Sequence, residues 1–243
     1  MSEMKLAPDT LEKLKSVSTA TISTQLIKIA GMRTRTVRGV HAINPACAGF
    51  VGPVVTLRYG PMREDLDARA SIVHEDNPTR KAIETAPKGS VLMIDMHGDT
   101  GGGALGDILV ARLIYRGIVA AVGDGAMRDI GPLMDMGLPV FCKAGTAPPS
   151  SASIFAVGVQ EPIGCGGVLV YPGDIAVGDA DGVVVIPRHL ADKVASAGLE
   201  QEQVEVFIKA RVLKGEPIAG FYPATERTLA EYRAWVASGR PAI

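Results

Sequence analysis

Apolar residues in this chain recur at two spacings, and the switch between them separates helix from strand. In residues 9–15 and 19–29, Leu11 and Leu14, then Ile22, Leu26 and Ile29, fall three or four apart, which predicts an N-terminal helical region. Asp9 or Thr10 is the expected cap and Gly31 the stop. Apolar runs at 51–59, 90–96, 118–122 and 139–142 predict buried strands, with helices expected near 80–85, 105–116 and 130–136. In the second of these, Leu105, Ile108, Leu109, Arg112, Leu113 and Arg116 keep helical spacing up to Gly117, a natural C-terminal stop. After Pro148-Pro149-Ser150 the pattern becomes short β segments at 153–159, 167–171, 174–178 and 182–186, punctuated by Gly and Asp turns. Beyond Arg188, residues 190–214 set charges against Val194, Val204, Phe207, Ile208 and Val212, as in one amphipathic helix or a pair. Residues 225–237 form another around Leu229, Tyr232 and Trp235, past a break at Gly215-Glu216-Pro217. Alternating strands and helices followed by short strands make this an α/β chain.

The segment that carries chemistry is Gly101-Gly102-Gly103-Ala104-Leu105-Gly106-Asp107, followed after twenty intervening residues by Arg128-Asp129. Its order is strand, glycine loop, helix, strand, with Gly123-Asp124-Gly125 turning the chain toward Arg128. Asp107 falls in the first helical turn, where exposed amides and the helix dipole favour a carboxylate or phosphate. Gly101, Gly103 and Gly106 also satisfy G-x-G-x-x-G, with Asp124 near the position of a ribose-binding acid. The glycines follow a polar loop instead of turning tightly off the strand, and no second mononucleotide half follows, so dinucleotide binding is disfavoured. The plainest alternative makes the glycines a turn, Asp107 a helix cap and Arg128-Asp129 a solvated pair.

These residues resemble a known family. The Asp107-x20-Arg128-Asp129 spacing, Gly-Asp-Ile-Leu at its start and Gly-Ala-Met-Arg-Asp-Ile at its end are similar to the RraA-like family. That family contains class II 4-hydroxy-4-methyl-2-oxoglutarate/4-carboxy-4-hydroxy-2-oxoadipate aldolases and the regulators of ribonuclease activity. Similarity runs from about residue 18 to 188, through GFVGPVVTL at 49–57, Gly137-Leu138-Pro139-Val140-Phe141, Pro172-Gly173-Asp174 and the block 179–187. The resemblance implies an α/β/β/α sandwich like the swivelling phosphohistidine domain of phosphoenolpyruvate enzymes, assembled as trimers or pairs of trimers with sites at subunit boundaries. Residues 1–188 would be the RraA-like domain. Residues 189–243 would be extra C-terminal helices packing on it or on a neighbouring subunit.

For the aldolase branch, the resemblance makes Asp129 the direct ligand of Mg2+ or Mn2+ and Asp107 an outer partner through water. Arg128 would hold a 2-oxo acid and stabilise the developing oxyanion. Amides from Gly103, Ala104, Leu105, Gly106 and Asp107 would take the pyruvyl carboxylate. The expected reaction is retro-aldol cleavage of a 4-hydroxy-2-oxo acid to pyruvate, with oxaloacetate decarboxylation as a side activity. No side chain announces itself as the base, so proton removal is expected through bound water relayed by Asp107. Lys143, the one lysine near these motifs on an apolar run, offers a Schiff base but reads better as a strand-end lysine facing solvent. A non-catalytic regulator that masks a ribonuclease is the alternative; the presence of Asp107, Arg128 and Asp129 together favours the enzyme.

Two departures from the shorter family members bear on substrate. The stretch Thr146-Ala147-Pro148-Pro149-Ser150 is less basic than in characterised aldolases, and Arg58, Arg63, Arg69 and Arg80 are the cations available to compensate. The C-terminal helices either pack on the chain's own core or reach a neighbouring site with Arg227 or Tyr232. A net charge of −1 over 243 residues, with both signs interspersed, gives no footprint for nucleic acid, and the Arg33, Arg35, Arg38 cluster reads as a loop or interface. Hydrophobic residues make up 47% of the chain, enough for one sizeable core. Cys47, Cys142 and Cys165 share no ligand spacing and read as reduced, mostly buried thiols. His74 and His97 could each touch substrate but read better as ordinary loop or surface histidines. With no apolar signal core and no apolar stretch near the ~18 residues that span a bilayer, a cytoplasmic protein free of the membrane is expected.

Overall fold

The computed structural model describes residues 6–66 and 74–241; Arg69 and the first five residues lie outside them. The chain enters through α1 (Pro8–Lys15) and α2 (Thr19–Ala30), then two short strands, β1 (Thr36–Val37) and β2 (His41–Ala42). β3 (Phe50–Pro61), α3 (Pro78–Thr85), β4 (Val91–Asp95), α4 (Asp107–Arg116) and β5 (Ala120–Gly123) follow. Next come β6 (Ala126–Met127), α5 (Ile130–Asp135), β7 (Val140–Cys142) and β8 (Ala144–Gly145). The remainder is β9 (Ile154–Val159), β10 (Ile163–Cys165), β11 (Val168–Val170), β12 (Ile175–Asp179), β13 (Gly182–Ile186), α6 (Ala191–Leu213) and α7 (Glu226–Ala237).

One mixed sheet runs in the order β1-β13-β12-β3-β4-β5-β7-β2, with β9 also paired to β3. β3, β4, β5 and β7 are mutually parallel, and the remaining pairs are antiparallel. β4 shows why its sequence is an unbroken apolar run: Leu92 and Ile94 enter one cluster, Val91 and Met93 the opposite one. The first cluster lies under α3, α4 and α5, through Ile83, Val110 and Leu133. The second is enclosed between the two halves of the sheet, where Met93, Val122 and Phe141 meet Ala176, Val183 and Val185 and the β10–β11 hairpin closes over them. A third cluster places Leu14, Ile22 and Val194 against Ile175, Val177 and Val184 on the outside of β12 and β13. The layers are therefore α/β/β/α.

Several boundaries differ from the sequence expectation. α1 starts at Pro8 with Ala7 at its N-cap, so Asp9 lies in the first turn and pairs with Lys13 instead of capping. α2 is capped by Ser18, whose oxygen accepts the Thr21 N–H, and stops at Gly31 in the left-handed conformation, φ 66°. α4 begins at Asp107, two residues later than its apolar pattern, because Leu105 is buried in the preceding loop.

The C-terminal segment is one long helix and one short one. The first half of α6 packs on α1 and α2 of the same chain, and Gly198 permits this by leaving room for Val17, which a Cβ would approach to 2.8 Å. Its second half carries Val204, Phe207 and Ile208 into a fourth cluster with Phe221, Leu229 and Trp235. The Phe207 ring stands 5.4 Å from Trp235 and 5.9 Å from Tyr232, a burial that stabilises the pair by about 1.5–3 kcal/mol. Among the described residues no helix is long and apolar enough to cross a membrane.

Candidate active site

The carboxyl ends of the parallel strands deliver three segments to one place. The β4–α4 loop, residues 96–106, folds back on β6: the Asp99 carbonyl accepts the Ala126 N–H (3.1 Å), Ala104 N–H donates to the Ala126 carbonyl (3.0 Å), and Arg128 N–H donates to Leu105 (2.8 Å). Gly103 N–H donates to Pro148 (3.0 Å), and Thr146 N–H to Met127 (2.9 Å), lacing in the loop after β8. Glycine is required at three points of this weave. A Cβ on Gly102 would meet the Pro149 carbonyl at 2.7 Å, and one on Gly103 or Gly106 would overlap Arg128 or the Asp129 carboxylate. The glycine run thus creates contact between the loop and the Arg128-Asp129 pair.

Asp129 occupies the N-cap of α5 with φ 56° and ψ 42°, a left-handed backbone that costs a non-glycine residue of order 1 kcal/mol. Its side chain makes no cap bond to α5. Instead Oδ2 faces the Asp107 N–H at 3.4 Å, at the first turn of α4. Asp107 Oδ1 accepts the Ile108 N–H at 2.7 Å. Arg128 is half-buried over Gly103, and its Nε is enclosed with no acceptor. A buried guanidinium N–H without a partner is costly and marks where an anion's oxygen would relieve it. The loop amides divide accordingly: Gly103 and Ala104 donate to backbone carbonyls, whereas Leu105 and Gly106 find no protein acceptor among the described residues.

This donor set can be tested against a metal. Among the described residues no group of three or more His, Cys, Asp or Glu could hold one, which excludes the closed tetrahedral arrangement of structural zinc. The exposed, lightly bonded Asp129 carboxylate, facing the backbone of Asp107, suits a hard cation that keeps most of its water, as magnesium does.

Other candidates lie elsewhere or are occupied. Asp124, the would-be ribose ligand of a dinucleotide motif, is buried and accepts Met96 N–H (2.7 Å) and Gly166 N–H (3.0 Å), so it braces the β10–β11 hairpin. Asp95 does the same for Gly164 N–H at 3.1 Å. An acid closing the apolar run 90–96 was the one sequence sign of that role. Cys165 lies between them; burial first, then the charges of Asp124 and Asp95, push its thiol well above the usual range and leave it unreactive. Cys142 is likewise buried and unpaired, and Cys47 is half-buried. Lys143 Nζ donates to the Gly98 carbonyl at 3.0 Å and is exposed, a tether without the desolvation a Schiff-base amine needs. Arg58 pairs with Glu161 at 3.3 Å and Arg63 with Asp65. In the tail, Arg227 pairs with Glu231 (2.8 Å) and Tyr232 OH donates to Gln203 (3.4 Å), so both are engaged within the helix pair.

The layered α/β domain thus gathers a guanidinium and two carboxylates on glycine-cleared strand ends. The chain belongs to the RraA-like family: the family model, described as Aldolase/RraA, matches residues 19–185. It is 40% identical over 114 residues to a Halalkalibacterium halodurans protein provisionally named 4-hydroxy-4-methyl-2-oxoglutarate aldolase, a match covering 47% of this chain and 54% of that one. Protein DlpA of Legionella pneumophila is 27% identical over 218 residues, covering 89% of this chain and 34% of its own length. The chain thus spans about half or less of these curated relatives. Among solved structures, Streptomyces coelicolor RraAS2, described as an unusual member of the RNase ES inhibitor RraA family, aligns with TM-score 0.77 at 30% identity, over 85% of this chain and all of that one. The RNA-processing inhibitor RraA from Thermus aligns with TM-score 0.53 at 27% identity, over 68% and 92%.

Proposed function

We propose that the protein is a divalent-metal-dependent lyase that cleaves a 4-hydroxy-2-oxo acid of the 4-hydroxy-4-methyl-2-oxoglutarate type by a retro-aldol reaction, releasing pyruvate. The carrying observation is the convergence at the start of α4, where Asp129 Oδ2 faces Asp107 N–H while Arg128 lies over Gly103 with its Nε lacking an acceptor. Asp129 would hold Mg2+ or Mn2+ directly and Asp107 through water. When bound, the cation supplies positive charge where the 2-oxo oxygen becomes negative. Arg128 binds the 2-oxo acid and offers its free N–H to the same developing charge. The unpaired N–H groups of Leu105 and Gly106, with that of Asp107 at the helix start, receive the pyruvyl carboxylate. Gly103 and Ala104 serve this binding by shape, since their own amides are spent on Pro148 and Ala126. Oxaloacetate decarboxylation through the same enolate is the accompanying side activity. The active form is a homo-oligomer, a trimer or a pair of trimers, as the family resemblance implies.

The test is pyruvate release, coupled to lactate dehydrogenase, from 4-hydroxy-4-methyl-2-oxoglutarate and from oxaloacetate. Release should need Mg2+ or Mn2+, stop with chelator, and be lost in Asp129→Ala. No release above the uncatalysed rate from either acid would remove the lyase reading. The match over the whole length of RraAS2 favours one second reading, a regulator that masks a ribonuclease. Such a regulator would inhibit equally well as Asp129→Ala and in chelator.

A further inference from the structure

The site described so far has a cation pocket, an oxyanion partner and carboxylate-binding amides, but no side chain that takes the proton from the substrate's 4-hydroxyl. We infer that His97, oriented by Asp95, is that acid–base residue. This rests on the retro-aldol reading.

Three observations place His97 in the role. The first is an acid–imidazole pair: His97 Nδ1 lies 3.5 Å from Asp95 Oδ1, with the Asp95 side chain 5% exposed and the imidazole 56% exposed. The separation is just beyond a formed hydrogen bond, as is common for catalytic pairs before substrate closes the site. Asp95 is itself fixed, accepting His97 N–H and Gly164 N–H, each at 3.1 Å. A buried carboxylate beside Nδ1 favours the proton on that nitrogen and leaves Nε2 as the acceptor.

The second is backbone strain. Among the described residues only four non-glycines have positive φ, and two of them are His97 (55°) and Asp129. A left-handed histidine is a conformation that surrounding structure must hold in place. Asp95 and the Lys143–Gly98 tether (3.0 Å) supply that hold on either side of it.

The third is position. His97 opens the loop whose far end supplies Leu105 to Asp107. Two residues after it, Asp99 pairs with Ala126, which in turn stands two residues before Arg128. An extended 2-oxo acid anchored at Arg128 with its distal half toward the loop's beginning would turn its 4-hydroxyl to His97. The other candidates there have other work: Lys143 bonds to Gly98, and the proposed reaction gives Asp107 and Asp129 to the cation.

The protons balance. Nε2 takes the 4-hydroxyl proton; the O–H pair becomes the new C4 carbonyl as C3–C4 breaks, and that bond's electrons become the pyruvate enolate. The enolate takes a proton from solvent at C3, as it also does after decarboxylation, and the imidazolium gives its proton up to solvent, with no net change in protons.

The decisive variant is His97→Asn, because asparagine tolerates left-handed backbone and cannot shuttle a proton. Decarboxylation of oxaloacetate has no hydroxyl proton to remove, so it is the internal control. The expected result is a 10²–10⁴-fold fall in kcat/KM for 4-hydroxy-4-methyl-2-oxoglutarate, with decarboxylation within about threefold of the unmodified protein and inhibition by pyruvate unchanged. Equal losses on both substrates would make His97 a loop brace and overturn the assignment; so would a variant that still cleaves the hydroxy acid normally. If the unmodified protein releases pyruvate from neither acid, the lyase reading fails and this inference with it, an outcome distinct from failure of the variant alone.

Discussion

Gly106→Ala separates chemistry from folding more cleanly than removal of any charged group. Gly106 is the N-cap of α4 with φ −118° and ψ −175°, a backbone that alanine adopts freely. The added methyl would sit closer than 3.0 Å to Asp129 Oδ2, whereas ordinary contact begins at 3.4 Å. The carboxylate, being at the end of a movable side chain, must therefore retreat by about 1 Å. Alanine is a poorer N-cap than glycine by roughly 0.5–1 kcal/mol, and its stiffer unfolded chain returns about 0.4–1 kcal/mol. The two terms nearly cancel, so the melting temperature should move by no more than ~3 °C. Catalysis is less forgiving: a 1 Å misplacement of a catalytic group costs of order 10²-fold, equivalent to ~2.7 kcal/mol of transition-state stabilisation. The assay is metal-dependent pyruvate release beside a thermal melt on the same preparation. Activity above a third of the parent with an unchanged melt would refute the argument that Asp129's position is set by the absence of a side chain at 106. Loss of both together would refute it too, since the fold would then depend on that glycine.

Two further outcomes follow from buried polar groups. Asp124→Asn replaces a carboxylate that accepts two N–H groups with an amide that can accept only one and turns a donor toward the other. The cost is about 2–3 kcal/mol and the melting temperature should fall by roughly 5–10 °C, measured by calorimetry; an unchanged melt would show that Asp124 does not brace the hairpin. Tyr59 is fully buried against Thr79 (2.7 Å), and burial raises its hydroxyl to about 12 from 10.0. A group whose folded value lies above its unfolded one stabilises fully below pH 10, and this contribution of about 2–3 kcal/mol is lost as pH climbs toward 12. In an ultraviolet titration one tyrosine should stay protonated until the protein unfolds, and Tyr59→Phe should flatten the stability loss over that window.

The parallel strands were legible because burial on both faces forces an unbroken apolar run, which Val91 to Ile94 display. Some short elements were not. β10 is three residues long and interrupted by Gly164, and it exists because Asp95 and Asp124 hold the amides of Gly164 and Gly166, partners about 40 or more residues away in sequence. Gly198 lies inside the long C-terminal helix, and its meaning is in Val17, which only the packed structure brings near. At the site, Asp107, Arg128 and Asp129 could be picked by spacing, since strand, turn and helix deliver them by local rules. Which loop amides remain free could not, because Gly103 and Ala104 are spent on Pro148 and Ala126. The pairing of His97 with Asp95 depends on one positive dihedral angle that no residue pattern encodes.

The weave of residue 103 with 126 and 148 has a consequence for how this scaffold changes its diet. Its stitches are main-chain bonds between Gly103 and Pro148, Ala104 and Ala126, and Thr146 and Met127, so they are indifferent to what the segment 146–151 carries on its Cβ atoms. Side chains there can be exchanged without moving Arg128 or Asp129, whereas a lengthened or shortened turn would pull on Gly103 and through it on the guanidinium. Under the proposed reaction, substrate preference is thus free to drift by point substitution there, while insertions and deletions in the same stretch are closed to it.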